Sequence, residues 1–223
     1  MTLPDHLIDV RASYDRVAVD YAALYPAELV EPLIDQLMLK AFADLVLAGL
    51  AGPVLDVGCG PGRISHNLAL LGVDAFGVDI SSQMVSVARE TYPDLIFKVG
   101  SMLALDLPDA TLAGIVAWYS IIHTPPALLP TVFAEFSRTL APGGWLLLGF
   151  HVGDGIRHMT HAYGHDLDMD AWLFTPEQVD GLAAAAGLRP YGRLVREPQG
   201  LEKRQQAFLL LCNANTDVDA AAH

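Results

Sequence analysis

The chain has 223 residues, 52% of them hydrophobic, which suits one globular domain, or one domain plus a small appendage, with a substantial core. Its 13 basic and 26 acidic residues leave a formal net charge of -13 with no Lys/Arg run, which argues against nucleic acid and anionic membrane surfaces as partners. The two cysteines, Cys59 and Cys212, lie far apart, and neither a signal core nor an apolar run long enough to cross a bilayer is found, so a reduced, cytoplasmic chain is expected.

Residues 1–50 read as a helical cap, because "YDRVAVDYAALYPAELVEPLIDQLMLKAFADLVLAG" repeats apolar residues every three or four positions. Pro26 and Pro32 interrupt the pattern, so two or three short helices are expected there. From Pro53 the rhythm changes to short apolar runs separated by amphipathic stretches, the pattern of a parallel sheet covered by helices. The strands are "VLDVG", "DAFGVD", "LIFKVG", "LAGIVAWY" and "WLLLGF". Between them lie "GRISHNLALLG", "SSQMVSVARETYP" with a serine cap and a stop at Pro93, and "LPTVFAEFSRTLAPGG" with a stop at Pro142. A His- and Gly-rich insertion at about 151–173 then reads as an extended flap. "TPEQVDGLAAAAGL" follows with a threonine cap, and "YGRLVRE" and "QQAFLLLCN" are extended. The main domain is thus placed at 51–212, and residues 213–223 form a loose tail.

In "PVLDVGCGPGR" a strand carrying Asp56 runs through Gly58, Gly60 and Gly62 into a helix, so backbone can approach a ligand closely. The spacing is G-x-G-x-G with an acid just before it, whereas a pyrophosphate site uses G-x-G-x-x-G facing a helix N-terminus. A carboxylate at Asp56 repels a diphosphate and can pair with an ammonium group. The next strand ends at Asp79, at the distance where an acid takes both hydroxyls of a ribose.

These residues resemble the class I S-adenosylmethionine-dependent methyltransferases, with "LDVGCGPG" as the first motif and Asp79 as the ribose acid. "VGSMLALDLPDATLAGIVAWYSIIHTPP" looks like the adenine-side segment and fourth strand, and "LAPGGWLLL" like the approach to the fifth. The resemblance implies a doubly wound, Rossmann-like α/β sheet of seven strands, mostly parallel with an antiparallel last strand. It also implies S-adenosylmethionine as cofactor, S-adenosylhomocysteine as product, and binding roles for Asp56, Gly58, Cys59, Gly60, Asp79, Ile80, Ser101, Met102, Trp118 and Tyr21. Many relatives carry an aspartate where Ser101 stands, so adenine recognition here leans on backbone and on the apolar walls of Ile80 and Met102.

The sulfonium is already a good leaving group, so the protein has to align an acceptor, exclude water and, for some acceptors, remove a proton. His123, beyond the fourth strand in "WYSIIHTPP", is the candidate base; its structural alternative is a packing or capping histidine. Tyr119 lies on the same edge. Tyr14 and Tyr21 are seven residues apart on one helical face, so one can close over cofactor while the other meets acceptor, unless both are core. The insertion carries His151, His158, His161 and His165; His151, His161 and His165 are taken as acceptor contacts, and although the spacing of His158, His161 and His165 is possible for zinc, no metal is expected because Gly164 spoils a helical face and no cysteine is near. Arg63 reads as a solvated first-turn residue. The expectation is a methyltransferase of the bacterial small-molecule type acting on oxygen or nitrogen, as monomer or homodimer. The alternatives are a non-catalytic S-adenosylmethionine-binding protein and, opposed by Asp56, a NAD-linked oxidoreductase.

Overall fold

The computed structural model describes residues 3–25, 31–200 and 202–214. It opens with α1 (Asp5–Leu24) and α2 (Leu33–Ala48), each longer than the short pieces implied by the prolines. Pro32 stands just ahead of α2, where its missing N–H leaves no ladder bond unmade, and Pro26 lies outside the described residues. α1 buries Leu7, Val10 and Val17, and α2 buries Leu39, Phe42 and Val46. α1 thereby joins one of the two main apolar clusters of the molecule and α2 the other.

The strands β1 (Val54–Val57), β2 (Ala75–Asp79), β3 (Ile96–Val99), β4 (Leu112–Trp118) and β5 (Leu140–His151) pair in parallel. With β8 (Leu188–Arg196) and β9 (Gln206–Asn213) they form one sheet in the order β3-β2-β1-β4-β5-β9-β8, with β9 antiparallel to both neighbours. Every residue of β1 and β4 is buried, as expected for strands covered on both faces. Strand order reverses between β1 and β4, which opens a crevice at their carboxyl ends.

The covering helices are α3 (Arg63–Leu70), α4 (Ser82–Thr91), α5 (Leu129–Thr139) and α6 (Pro176–Ala185). Ser81 caps α4 by accepting from the Met84 amide at 3.1 Å, and Thr175 with Gln178 makes a full capping box on α6. α5 ends at Thr139, three residues before Pro142, because Leu140 already pairs with Leu112 and the proline sits inside the opening of β5.

The insertion is more regular than a flap. β6 (Gly155–Ala162) and β7 (His165–Leu173) form an antiparallel hairpin turned by Tyr163 and Gly164, both at positive φ. β9 continues through Asn213, whose buried amide donates to the Leu140 carbonyl at 2.9 Å, so the expected tail begins inside a strand. Residues 215–223 of that tail lie outside the described residues.

Candidate functional site

The loop after β1 is shaped by two glycines for different reasons. Gly58 has φ +72, and a Cβ there would stand 2.3 Å from the Ser120 Cβ, so only glycine lets the loop close against the end of β4. Gly60 has φ +53, but a Cβ there would meet no atom within 4 Å, because it faces open space above the crevice.

Asp56 lies under this loop and is 1% exposed. Its Oδ2 accepts from Ser65 Oγ at 2.7 Å, and its Oδ1 is buried with no partner. Burial outweighs the serine bond and pushes the carboxyl up from 3.8 to about 7. Ser120 Oγ, across from Gly58, is the other buried side-chain atom without a partner among the described residues. Two acceptor-capable oxygens left unmade beside one glycine are a receptacle for a donor group such as an ammonium. Asp79, at the end of β2, accepts from the Gly60 amide through Oδ2 and the Ser81 amide through Oδ1, each at 2.8 Å. These bonds hold the loop to β2; burial nonetheless raises the carboxyl to about 6.

Both acids open into a cavity of about 680 Å3, well within the range of roughly 300–1,000 Å3 typical of small-molecule sites. Gly58, Cys59, Gly60, Asp79, Ile80, Ser101 and Met102 line one end of it. The Cys59 thiol packs with Phe97 and Tyr92 beneath the loop, where burial pushes its pKa up, so it is a neutral packing group. Ser101 Oγ accepts from the Leu103 amide at 3.2 Å and so shapes its own turn. Trp118 lines the wall while stacking on Phe208 at 5.0 Å.

The other side of the cavity is built by α1, the end of β4 and the hairpin. Tyr119 sits at φ +53, a costly conformation for a tyrosine that turns the chain at the mouth of the crevice. Tyr14 and Tyr21 line the same cavity, with Tyr21 against Tyr25 and Tyr163 at 4.7 and 4.9 Å between ring centroids. His123 also lines it, but both of its nitrogens are engaged: Nδ1 donates to the Asp170 carbonyl at 3.0 Å, which leaves Nε2 to accept from the Tyr14 hydroxyl at 2.7 Å. Burial lowers the pKa of this imidazole from 6.5 to about 4. His123 thus holds Tyr14 and the hairpin and presents no free lone pair.

His151 lines the cavity, but His161 and His165 do not. His161 pairs with Asp166 at 3.1 Å, and His165 reaches across to Asp20 on α1 at 2.6 Å. His158 pairs with Asp170 in the same way, and among the described residues no cluster of three or more His, Cys, Asp or Glu side chains could hold a metal ion. Arg157 and Met159 share the inward face and His158 falls on the other; His161 has the same parity as Arg157 and Met159 but follows the register shift between Met159 and His161.

Several lining residues carried no signal in the sequence. Arg63 is not solvated; its side chain is 14% exposed, paired with Glu31 and 5.9 Å from the Tyr25 ring centroid. Asp35, 1% exposed, accepts two bonds from Arg196, which also grips Glu202. The Arg63–Glu31 and Arg196–Asp35 pairs join residues 32 and 161 positions apart.

Among known proteins, the family described as a methyltransferase domain matches residues 54–144, the segment from β1 into β5. A demethylmenaquinone methyltransferase of Beutenbergia cavernae is 29% identical over 140 residues, covering 63% of this chain and 57% of that protein. A trans-aconitate 2-methyltransferase of Rhizobium meliloti is 36% identical over 114 residues, covering 50% and 42%. The chain spans about half the length of the curated relatives it matches. The structure of magnesium protoporphyrin IX methyltransferase from Synechocystis, with S-adenosylmethionine bound, superposes with a TM-score of 0.69 at 16% identity, covering 95% of this chain and 98% of that one. Among the described residues no helix is long and apolar enough to cross a membrane. The match over residues 54–144 and these relatives support a class I S-adenosylmethionine-dependent methyltransferase, and the superposition with its seven-stranded topology shows the fold alone.

Proposed function

We propose that this protein transfers a methyl group from S-adenosylmethionine directly to an oxygen or nitrogen of a small-molecule acceptor. The observation that carries this reading is the unmatched pair of Asp56 Oδ1 and Ser120 Oγ beside Gly58, at one end of a cavity that continues past Asp79 to a wall of tyrosines and histidines. The ammonium of the methionine half supplies the missing donors, Asp79 takes the ribose hydroxyls with the lone pairs its amide bonds leave free, and Ile80, Ser101 and Met102 border the adenine. When bound, the cofactor supplies an activated methyl group. The chain's own work is to seat it, shut out water with α1 and the hairpin, and present the acceptor in line. Tyr14, Tyr119 and His151 border the acceptor space, and His123 acts by fixing the Tyr14 phenol and the hairpin.

A nicotinamide dinucleotide fits this loop poorly, because the unpaired Asp56 oxygen would face a pyrophosphate. The test is to measure binding of S-adenosylmethionine and of NAD to the purified protein by calorimetry, then to screen small hydroxyl, amine and carboxylate acceptors for S-adenosylhomocysteine by mass spectrometry. Binding of NAD in preference to S-adenosylmethionine would overturn the proposal; binding without turnover across a wide screen would favour the non-catalytic alternative.

A further inference from the structure

His123 and His151 are the two histidines that line the cavity among the described residues, and their nitrogens are used differently. In His123 the ring is spent, with Nδ1 on the Asp170 carbonyl and Nε2 on the Tyr14 hydroxyl. In His151, at the last position of β5, Nδ1 lies 2.7 Å from Gln206 Oε1, and the amide nitrogen of Gln206 donates to the Arg204 carbonyl at 2.8 Å. That carbonyl can only accept, so the glutamine is held with its oxygen toward the histidine, and Nδ1 is the protonated nitrogen. Nε2 then carries a lone pair and has no partner among the described residues.

Several other polar groups of the wall are already paired. Glu31 pairs with Arg63, Asp35 and Glu202 with Arg196, and Tyr14 with His123. The Tyr119 phenol is held neutral by burial, well above its ordinary range. The His151 ring leans on the Tyr119 ring at 5.0 Å between centroids, next to the residue whose positive φ turns the chain at the mouth of the crevice.

We infer that His151, through Nε2, is the general base of the reaction, and that the acceptor presents a hydroxyl group to it. This assignment rests on the methyltransferase reading. The acceptor O–H bond breaks and its proton passes to Nε2. The oxygen's electron pair forms the new O–CH3 bond while the S–CH3 bond breaks and leaves its pair on sulfur. One positive charge is lost at the sulfonium and one appears on the imidazolium, so the charge in the cavity is conserved. The groups facing His151 are Tyr119, Arg157 on β6, Gln206 on β9, and Glu202 and Arg204 in the preceding loop. Burial and the two arginines favour the neutral ring, and the Gln206 bond and Glu202 oppose them; the balance lowers its pKa, so the base is unprotonated at neutral pH.

The test is made on the full chain with S-adenosylmethionine, simple phenols and alcohols as probes, and carboxylic acids, already ionised at neutral pH, as nucleophiles that need no base. His151→Asn keeps a donor in the place of Nδ1 for Gln206 and deletes the base; it should slow transfer to phenols about 10²–10⁴-fold with cofactor affinity retained. In His151→Ala, added imidazole should restore part of the rate. In 15N-labelled protein holding S-adenosylhomocysteine, Nε2 of His151 should carry no proton at neutral pH. A protonated Nε2, a His151→Asn rate within a few-fold of wild type, or wild-type transfer to carboxylates alone would overturn the assignment and leave the methyltransferase reading intact. Failure of the wild-type protein to bind S-adenosylmethionine would overturn both.

Discussion

The phenol of Tyr14 on α1 donates a 2.7 Å hydrogen bond to Nε2 of His123, whose Nδ1 donates to the Asp170 carbonyl on β7. Three elements meet on one imidazole: the first helix, the turn after β4 and the hairpin. His6 adds a bond to the His123 carbonyl at 3.2 Å and packs edge-on against Trp172. The roof of the cavity is thus pinned at its centre by a group with no free valence.

Tyr14→Phe deletes the hydroxyl and leaves a buried imidazole nitrogen unpaired, at a cost of about 1–3 kcal/mol. A fall in Tm of roughly 2–4 °C per kcal/mol is expected for a chain of this size. Hydrogen exchange in β7 should quicken at the same time. An unchanged Tm with unchanged exchange would show that the bond does not hold the roof.

Asp56 makes stability depend on pH in a direction opposite to that of a salt-bridged carboxylate. Its folded pKa is raised from 3.8 to about 7, so the native state holds more protons than the unfolded one between those values. Stability is full below the lower value, declines as pH rises through the window, and levels off above about 7; Asp79, raised to about 6, adds with the same sign. Asp56→Asn should therefore raise the Tm of the ligand-free protein at alkaline pH and flatten the decline. It should also weaken S-adenosylmethionine binding at least tenfold, and wild-type binding should tighten as pH rises toward 7. Melting curves and calorimetry across this range decide it, and an undiminished pH slope in the variant would refute the assignment.

Two alanine substitutions in the same loop should behave differently. Gly58→Ala drives a Cβ to 2.3 Å from Ser120 and should prevent the native loop from closing, with a large loss of stability. Gly60→Ala meets open space, so its cost is mainly the left-handed backbone, about 1–2 kcal/mol, with loss of cofactor affinity as the methyl enters the cavity. Comparable stability losses in the two variants, read by urea unfolding, would contradict this division.

Among the described residues Arg196 is the partner of the Asp35 carboxylate, which is 1% exposed. Arg196→Met should cost about 3–5 kcal/mol because it strands a buried charge. Arg196→Met combined with Asp35→Leu should recover part of that loss. A double variant no more stable than the single one would show that the arginine acts through its packing on Phe208 instead.

Much of the fold was legible because its signals are local. The alternate glycines, the acids at Asp56 and Asp79, the serine and threonine caps and the apolar runs from Pro53 onward each declare themselves within a few residues, and the strands and helices stand where those patterns put them. The insertion was harder to read: Tyr163 and Gly164 turn a regular hairpin without the Asn-Gly or Asp-Gly signal that marks most such turns. Pro142 misled in the other direction, since the helix before it yields to strand pairing three residues sooner.

The sequence by itself determined the topology and the cofactor end, because a strand, a tight loop and a helix are specified by neighbouring residues and bring their own backbone to the ligand. Only the tertiary structure decided the acceptor end. His123 and Tyr14 are 109 residues apart, His151 and Gln206 55, and Arg196 and Asp35 161, and composition does not reveal which nitrogen of which histidine remains free. That depends on side chains meeting across elements, which engage His161 with Asp166 and His165 with Asp20 while leaving His151 at the cavity wall.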